Sequence, residues 1–290
     1  MLKMNLTIII PTYNRATTIG RTIESFIAQN FKDWDMFVVD DHSIDNTKEV
    51  VERYHQQDTR INYLLNEQAK GAQGARNTGI LHAKSEWVII FDSDDYVYPD
   101  FIEKMIPFCD NPYDVITCYA RKVNVQNGET ELLKWGGNGN IEKGLFSSEV
   151  YVSFDNCIFR KSRLYEIGLL SEDCPAYQEL DTHIRLSRIC KYKSVPIVLM
   201  DYMWGGADTM SIQSNKNIAG YSYVMLHNCE RWKKVEPESF KYRWLTMFRR
   251  VDATTKFKMI SAAPTYTFYI PYIYACAFFG WLSRRLHIDQ

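Results

Sequence analysis

Through the first 120 residues, short apolar runs alternate with stretches in which apolar residues recur at helical spacing. Residues 6–10 are apolar and rich in β-branched side chains, which predicts a buried strand broken by Pro11. Thr17 and Thr18 are placed to cap a helix reaching about residue 30, and residues 36–39 predict a second strand ending in Asp40 and Asp41. Asp45 or Asn46 can cap a helix through about residue 57. A third strand is expected over 61–65, a glycine-rich entry into a third helix over 71–83, and a fourth strand over 87–91. Pro99 suits the first turn of a further helix, and a fifth strand is expected over 115–119. This rhythm predicts an α/β protein with a Rossmann-like, mostly parallel central sheet flanked by helices. Residues 124–144 depart from it: their glycines, with Asn and Lys, predict a long loop or hairpin. Beyond them a strand is expected over 155–159, helices near 161–167 and 179–190, and a short strand near 194–200.

A chain of 290 residues with 46% hydrophobic content can bury a substantial core in one large domain or two small ones. Its net charge of −1 creates no global field to gather nucleic acid, and none is expected as a partner. The charge is unevenly placed, however: between Arg231 and Lys258 nine Lys/Arg face three Asp/Glu. The 7 cysteines are scattered and lack zinc-type spacing, so free thiols in a reducing cytoplasm are the simplest expectation. The first residues enter a strand almost at once, without the apolar stretch and cleavage site of a secretory signal.

The strand ends hold the candidate chemistry. Asp92-Ser93-Asp94-Asp95 directly follows the apolar run 87–91. Carboxylates crowded at a strand's end repel one another and resist burial, and a hard divalent cation relieves both problems. Open α/β sheets also bind ligands at this place, outside the carboxyl ends of their strands. The plainer explanation of this motif alone is an acidic turn after a buried strand. Pro11-Thr12-Tyr13-Asn14-Arg15 can leave backbone groups free to grip a base or ribose, or can be an ordinary strand-to-helix turn. Asp40-Asp41-His42-Ser43 places an acid where a ribose or base can be bound; one of the two Asp can equally serve as a helix cap, and His42 reads as a bystander. In the segment from Gly71 to Gly79, glycines near a helix start either admit a phosphate to backbone N–H groups or let the helix pack tightly on the sheet. Arg76 there offers a planar fork to a phosphate or carboxylate. The glycine spacing is neither GxGxxG nor a Walker loop.

These four motifs, in this order and at this spacing, closely resemble the family 2 glycosyltransferases through about residue 105. The resemblance implies the GT-A fold, a nucleotide-sugar donor, a Mg²⁺ or Mn²⁺ ion, and transfer with inversion at the anomeric carbon. UDP is the family's commonest nucleotide. By resemblance, Pro11, Tyr13 and Asp41 line the base and ribose pocket, and Thr12, Arg15 and Ser93 belong to the same donor-binding set. Arg76 lies near the base or diphosphate, Asp92 toward ribose or metal, and Asp94 on the metal. Asp95 is a further ligand or a donor-sugar contact. In the second half, residues 160–173 resemble the family's strand–helix–turn before the acceptor site. Glu179, six residues before Arg185, occupies the place of the proposed catalytic base, where Asp is commoner, with Asp181 as the fallback. Either acid also suits a helix's first turn without catalysis. Processive relatives carry Gln-x-x-Arg-Trp; Arg231-Trp232 and Arg243-Trp244 both lack that Gln, so one sugar per encounter is expected.

The domain expectation is a catalytic domain over 1–220, with a nucleotide-sugar half to residue 120 and an acceptor half beyond, followed by a helical, basic and aromatic extension over 221–290. Residues 259–283 carry no charge and hold two prolines and many tyrosines. With the basic stretch before them they read as an in-plane anchor on anionic lipid, at the inner face of the cell membrane. A tail packed on the catalytic domain, or a subunit interface of a homo-oligomer, is the alternative. The expected activity is sugar transfer to a glycan or lipid-linked acceptor in surface-polysaccharide synthesis. Its rivals are a nucleotidyltransferase, which would open with a glycine-rich loop followed by Lys or Arg, and a non-catalytic membrane scaffold.

Overall fold

The structure, a computed structural model, describes residues 5–109, 112–205 and 214–271. Strands β1 (Leu6–Thr12), β2 (Trp34–Asp40), β3 (Ile61–Leu65) and β4 (Trp87–Ile90) run parallel in the order β3-β2-β1-β4. Burial of β1 and β4 along their whole length explains why they read as continuous apolar runs. Alternation sorts the side chains. Ile8, Ile10, Met36, Val38 and Ile89 join one core with Ile19, Ile23 and Phe26 of α1 (Ile19–Ile27) and Val50 and Val51 of α2 (Thr47–Gln57). Ile9 turns the other way, onto α3 (Ala72–His82), so closely that a Cβ added at Gly79 would lie 2.3 Å from Ile9 Cγ2.

Strand β1 continues through Pro11 instead of breaking there. Ile9 O accepts from Phe91 N and Thr12 O accepts from Asp41 N, so Ile9 and Pro11 face β4 while Thr12 faces β2. Pairing with β4 stops at Ile9–Ile90, and the N–H that proline lacks therefore has no ladder partner to lose. Thr18 occupies the N-cap of α1 without a side-chain cap bond. The Asp45 carboxylate instead accepts from Ala16 N (3.1 Å) and Thr47 N (3.0 Å), joining the starts of α1 and α2.

Past β4 the sheet is mixed. β8 (Cys157–Arg160) lies antiparallel between β4 and β6 (Val115–Asn124). β9 (Tyr192–Trp204) runs parallel to β6, and β5 (Tyr96–Val97) adds antiparallel to β9. β7 (Thr130–Leu133) pairs with β6 as a hairpin, and α5 (Glu142–Ser147) begins within the glycine-rich stretch expected to be irregular. β9 is longer than expected because it tracks β6 to the end, across a register shift near Tyr119. Pro99 precedes α4 (Phe101–Met105) instead of entering it. α6 (Lys161–Glu166) and α7 (Gln178–Ser187) fall where expected.

The chain divides into two compact units: Met1–Asp173 with Gln178–Ile212, and Cys174–Tyr177 with Gln213–Gln290. The second contains α8 (Ser214–His227), α9 (Cys229–Val235), α10 (Pro237–Phe248) and α11 (Ala253–Ala262), then a 3-10 turn at Pro264–Tyr269. Its interior is aromatic, with ring centroids 6.1 Å apart for Trp232–Phe240, 5.4 Å for Phe240–Tyr266 and 4.9 Å for the stacked Trp244–Phe248. The charge-free run expected to anchor the chain begins in α11; its residues 272–283 lie outside the described residues. Among the described residues no helix is long and apolar enough to cross a membrane. Cys109, Cys118, Cys157, Cys174, Cys190 and Cys229 are buried free thiols.

Candidate active site

The carboxyl ends of β1, β2 and β4 share one rim of the sheet, because these strands are parallel neighbours. At the β1 end, Asn14 takes a positive φ of 52°, donates its N–H to Ser43 Oγ (2.8 Å), and accepts from Ile44 N (2.9 Å). Arg15 N donates to Thr47 Oγ1 (2.9 Å). The two loops after β1 and β2 are thus tied to each other. Pro11 and Thr12 are buried, while Tyr13 is exposed with Lys70 Nζ 5.9 Å from its ring centroid. Asp40 is the structural acid of the β2 end, accepting from Ser43 and from Tyr63 Oη. Asp41 accepts from Asn66 Nδ2 (2.7 Å) and Gly71 N (2.8 Å), which fixes the loop entering α3. A carboxylate has about four acceptor sites, so this leaves room for a ligand's hydroxyl or base.

The glycines before and in α3 serve packing and backbone geometry. Gly71 has φ 124°, a Cβ at Gly74 would meet Ala69 O at 1.8 Å, and Gly79 seats the helix on Ile9. Tight packing accounts for Gly74 and Gly79, while Gly71 serves its positive φ. That packing places Arg76 under the rim, almost fully buried. Its Nη2 donates to Asp92 Oδ1 (2.6 Å), its Nη1 to Gln73 Oε1 (2.8 Å) and Gln178 Oε1 (3.3 Å), and the guanidinium lies 4.8 Å from the Phe154 ring centroid. Burial works against its charge, but the carboxylates of Asp92 and Glu179 outweigh burial and raise its pKa. Thr12 Oγ1, Gln73 Nε2 and Arg76 Nε, all near this rim, are among the buried polar atoms with no hydrogen-bond partner, which are unusual in a folded interior.

The acidic turn is built in two layers. Asp95 is only 2% exposed; its Oδ1 accepts from Met203 N (2.7 Å) and its O accepts from Thr22 Oγ1 (2.8 Å). Ser93 is likewise buried. The outer layer is open, with the Asp92 side chain 35% exposed and that of Asp94 51% exposed. Arg15 Nη2 stands 3.8 Å from Asp94 Oδ2, and Arg21 Nη2 donates to Asp94 O (2.9 Å). Desolvation and the neighbouring Asp92 raise the Asp94 pKa, with Arg15 opposing them. Beneath lies Asp155, which sequence reasoning passed over as a strand residue. Its Oδ1 accepts from Asp92 N (2.5 Å) and its Oδ2 from Ser153 Oγ (2.9 Å), and burial with the Asp92 charge pushes its pKa well up.

Among the described residues no three His, Cys, Asp or Glu side chains converge as a metal cage. A small divalent cation needs none, since it is usually held by one or two carboxylates and completed by substrate phosphates and water. Two open carboxylates side by side, Asp92 raising the pKa of Asp94, fit that requirement.

Glu179 and Asp181 part company. Glu179 stands in the first turn of α7, next to Gln178, which bonds Arg76. Burial raises its pKa and Asp92 adds to the rise, while Arg76 holds it back. Asp181 is buried and engaged elsewhere: its Oδ2 accepts from Arg185 Nε (2.9 Å) and Ser171 Oγ (2.8 Å). Arg185 in turn donates to Ile167 O and Leu169 O. Asp181 thus fastens the turn before α7.

The fold is that of the GT-A glycosyltransferases. The fold matches the crystal structure of S. aureus TarS in complex with UDP-GlcNAc at TM-score 0.65 and 18% identity, covering 91% of this chain and 80% of that one. It also matches mannosyltransferase PcManGT from Pyrobaculum calidifontis, in complex with GDP-Man and Mn²⁺, at TM-score 0.61 and 16% identity, covering 94% and 86%. The chain belongs to glycosyl transferase family 2, whose profile matches residues 7–168. Among its relatives, an Escherichia coli UDP-Glc:alpha-D-GlcNAc-diphosphoundecaprenol beta-1,3-glucosyltransferase, WfgD, is 41% identical over 35% of this chain and 39% of its own. The GalNAc(5)-diNAcBac-PP-undecaprenol beta-1,3-glucosyltransferase of Campylobacter jejuni is 42% identical over 31% and 29%. The matched segments thus span well under half the length of these relatives.

Proposed function

We propose that this enzyme moves one sugar at a time, with inversion, from a UDP-linked donor to a hydroxyl of a glycan or lipid-linked acceptor, in the synthesis of a surface polysaccharide. The observation that carries the reading is the open Asp92–Asp94 pair, flanked by Arg15 and Arg76 at the rim where Glu179 enters. Support for the donor and acceptor classes comes from the activities for which the relatives are named, with UDP-Glc in one and undecaprenol-linked acceptors in both.

Asp94 and Asp92 are the residues to hold a Mg²⁺ or Mn²⁺ ion. When bound, such an ion neutralises charge on the departing diphosphate. Pro11, Thr12, Tyr13 and Asp41 bind the base and ribose, and Ser93 and Asp95 shape the turn beneath the donor. Arg15 and Arg76 face the diphosphate side, with Arg76 fixed in place by Asp92, Gln73 and Gln178. Glu179 takes the proton of the acceptor hydroxyl as that oxygen bonds to the anomeric carbon and the bond to the diphosphate oxygen breaks. Its raised pKa keeps it a competent acceptor. A screen of labelled nucleotide sugars with Mn²⁺, scored for sugar transfer and nucleotide release, tests this. Release that persists undiminished in Glu179→Gln would contradict the assignment of the base.

The catalytic domain expected over 1–220 and the extension expected over 221–290 meet within α8, which the second compact unit holds whole, so the catalytic role goes to the first unit and the extension begins with α8; both work at the cytoplasmic face of the membrane. Exposed Tyr242, Phe257 and Phe268, with Arg249 and Arg250, support peripheral attachment of the extension to anionic lipid.

A further inference from the structure

Beyond the acidic turn, β9 ends in an aromatic strip that the donor chemistry does not use. Met203 N donates to Asp95 Oδ1 at 2.7 Å, so the residues on either side of it, Tyr202 and Trp204, flank a peptide bonded directly to the turn. Being two apart in a strand, they share one face of the sheet. Tyr202 lies opposite Lys122 and Trp204 opposite Asn124 of β6. Trp135 packs edge-on against Tyr202, centroids 5.3 Å apart, and Lys122 Nζ stands 4.5 Å from the Trp204 centroid. Trp204 remains 38% exposed. The Tyr202 hydroxyl feels Asp95, Asp155, Asp92 and Glu179, which add to burial in raising its pKa and put the inner end of the strip in the field of the reacting groups.

We propose that Tyr202 and Trp204, braced by Trp135 and Lys122, form the subsite that stacks the ring of the acceptor sugar whose hydroxyl is glycosylated. Resting on the glycosyltransferase reading above, the proposal adds where the acceptor lies. A pyranose presents one face of C–H groups and an equatorial rim of hydroxyls, so it matches a flat apolar ring beside polar groups; most binding sites combine such apolar walls with a few placed polar atoms. Continuity with Asp95 selects the acceptor over a remote glycan, since the strip starts one residue from Met203, whose N–H bonds the acidic turn.

The experiment measures nucleotide release from UDP-sugars with Mn²⁺, alone and with a panel of monosaccharides linked through diphosphate to a short alkyl chain. Slow release without acceptor establishes the transferase reading independently; its absence in the wild-type enzyme would defeat that reading first. The subsite predicts that at least one member of the panel accelerates release, and that Trp204→Ala raises the KM for that glycoside about tenfold. Release without acceptor and the KM for the donor stay within about twofold, and Trp204→Phe restores most of the acceptor affinity. An acceptor KM unchanged in Trp204→Ala, a loss shared equally by the donor, or no response to any glycoside of the panel would overturn the assignment.

Discussion

At the scale of single residues, the proposed base Glu179 stands apart from the carboxylates that hold the fold. Glu179→Gln keeps the size and the helix start and removes only the proton acceptor, so kcat should fall by about 10²–10⁴-fold while nucleotide affinity holds. Because the Glu179 pKa is raised, the acid limb of the wild-type rate profile should lie above the ordinary glutamate value of 4.5 and vanish in that variant. Asp181→Ala should act in the opposite way. It strands Arg185 beside two carbonyls and should cost about 3–5 kcal/mol of stability, read as a lowered melting temperature. Asp155 supplies a third contrast. Its carboxyl binds protons more tightly folded than unfolded, so its stabilising contribution is present at low pH and is lost as pH rises through the raised value. Asp155→Asn keeps an acceptor for Asp92 N and deletes a buried like charge. It should flatten the fall in melting temperature that the wild type shows as pH rises; a pH dependence of the melting temperature unchanged in the variant would contradict this account.

At the scale of elements, the rim is assembled by close packing, and this is where glycine matters. Gly79→Ala forces a Cβ to within 2.3 Å of Ile9 Cγ2. It should cost about 1–3 kcal/mol in urea unfolding, partly recovered by Ile9→Ala on the facing strand. The parallel strands were legible because burial on both faces leaves an unmistakable apolar run, as in Ile8-Ile9-Ile10 and Val88-Ile89-Ile90. Helix starts were less so: Thr18 looked like a cap, yet Asp45, distant in sequence, supplies the bond to Ala16 N. The same limit hid Asp155 and Gln178. Nothing in Phe154-Asp155-Asn156 marks an acid that bonds Asp92 N across 63 positions, because its neighbour exists only once β8 lies beside β4. Asp92, Asp94 and Arg76 were legible for the converse reason, since each sits in a short motif at the end of a readable element. Separating Glu179 from Asp181 required the turn that Arg185 clasps.

On the scale of the whole molecule, each compact unit has its own character. The first presents the acidic rim, and the second carries aromatic side chains among exposed cations. If the extension attaches to anionic lipid, the full chain should sediment with phosphatidylglycerol vesicles, should not with phosphatidylcholine alone, and should be released as salt is raised from about 0.05 to 0.5 M. The central claim belongs to this scale as well, because it joins sheet, turn and substrate: two open carboxylates at the sheet rim share a cation with the diphosphate of a nucleotide. Isothermal titration of UDP into the full chain, with and without Mn²⁺, for wild type and Asp94→Ala, tests it most directly. The account predicts that Mn²⁺ tightens UDP binding at least tenfold in the wild type and leaves Asp94→Ala, still folded by circular dichroism, without that gain. Equal UDP affinity with and without the metal in the wild type would contradict it.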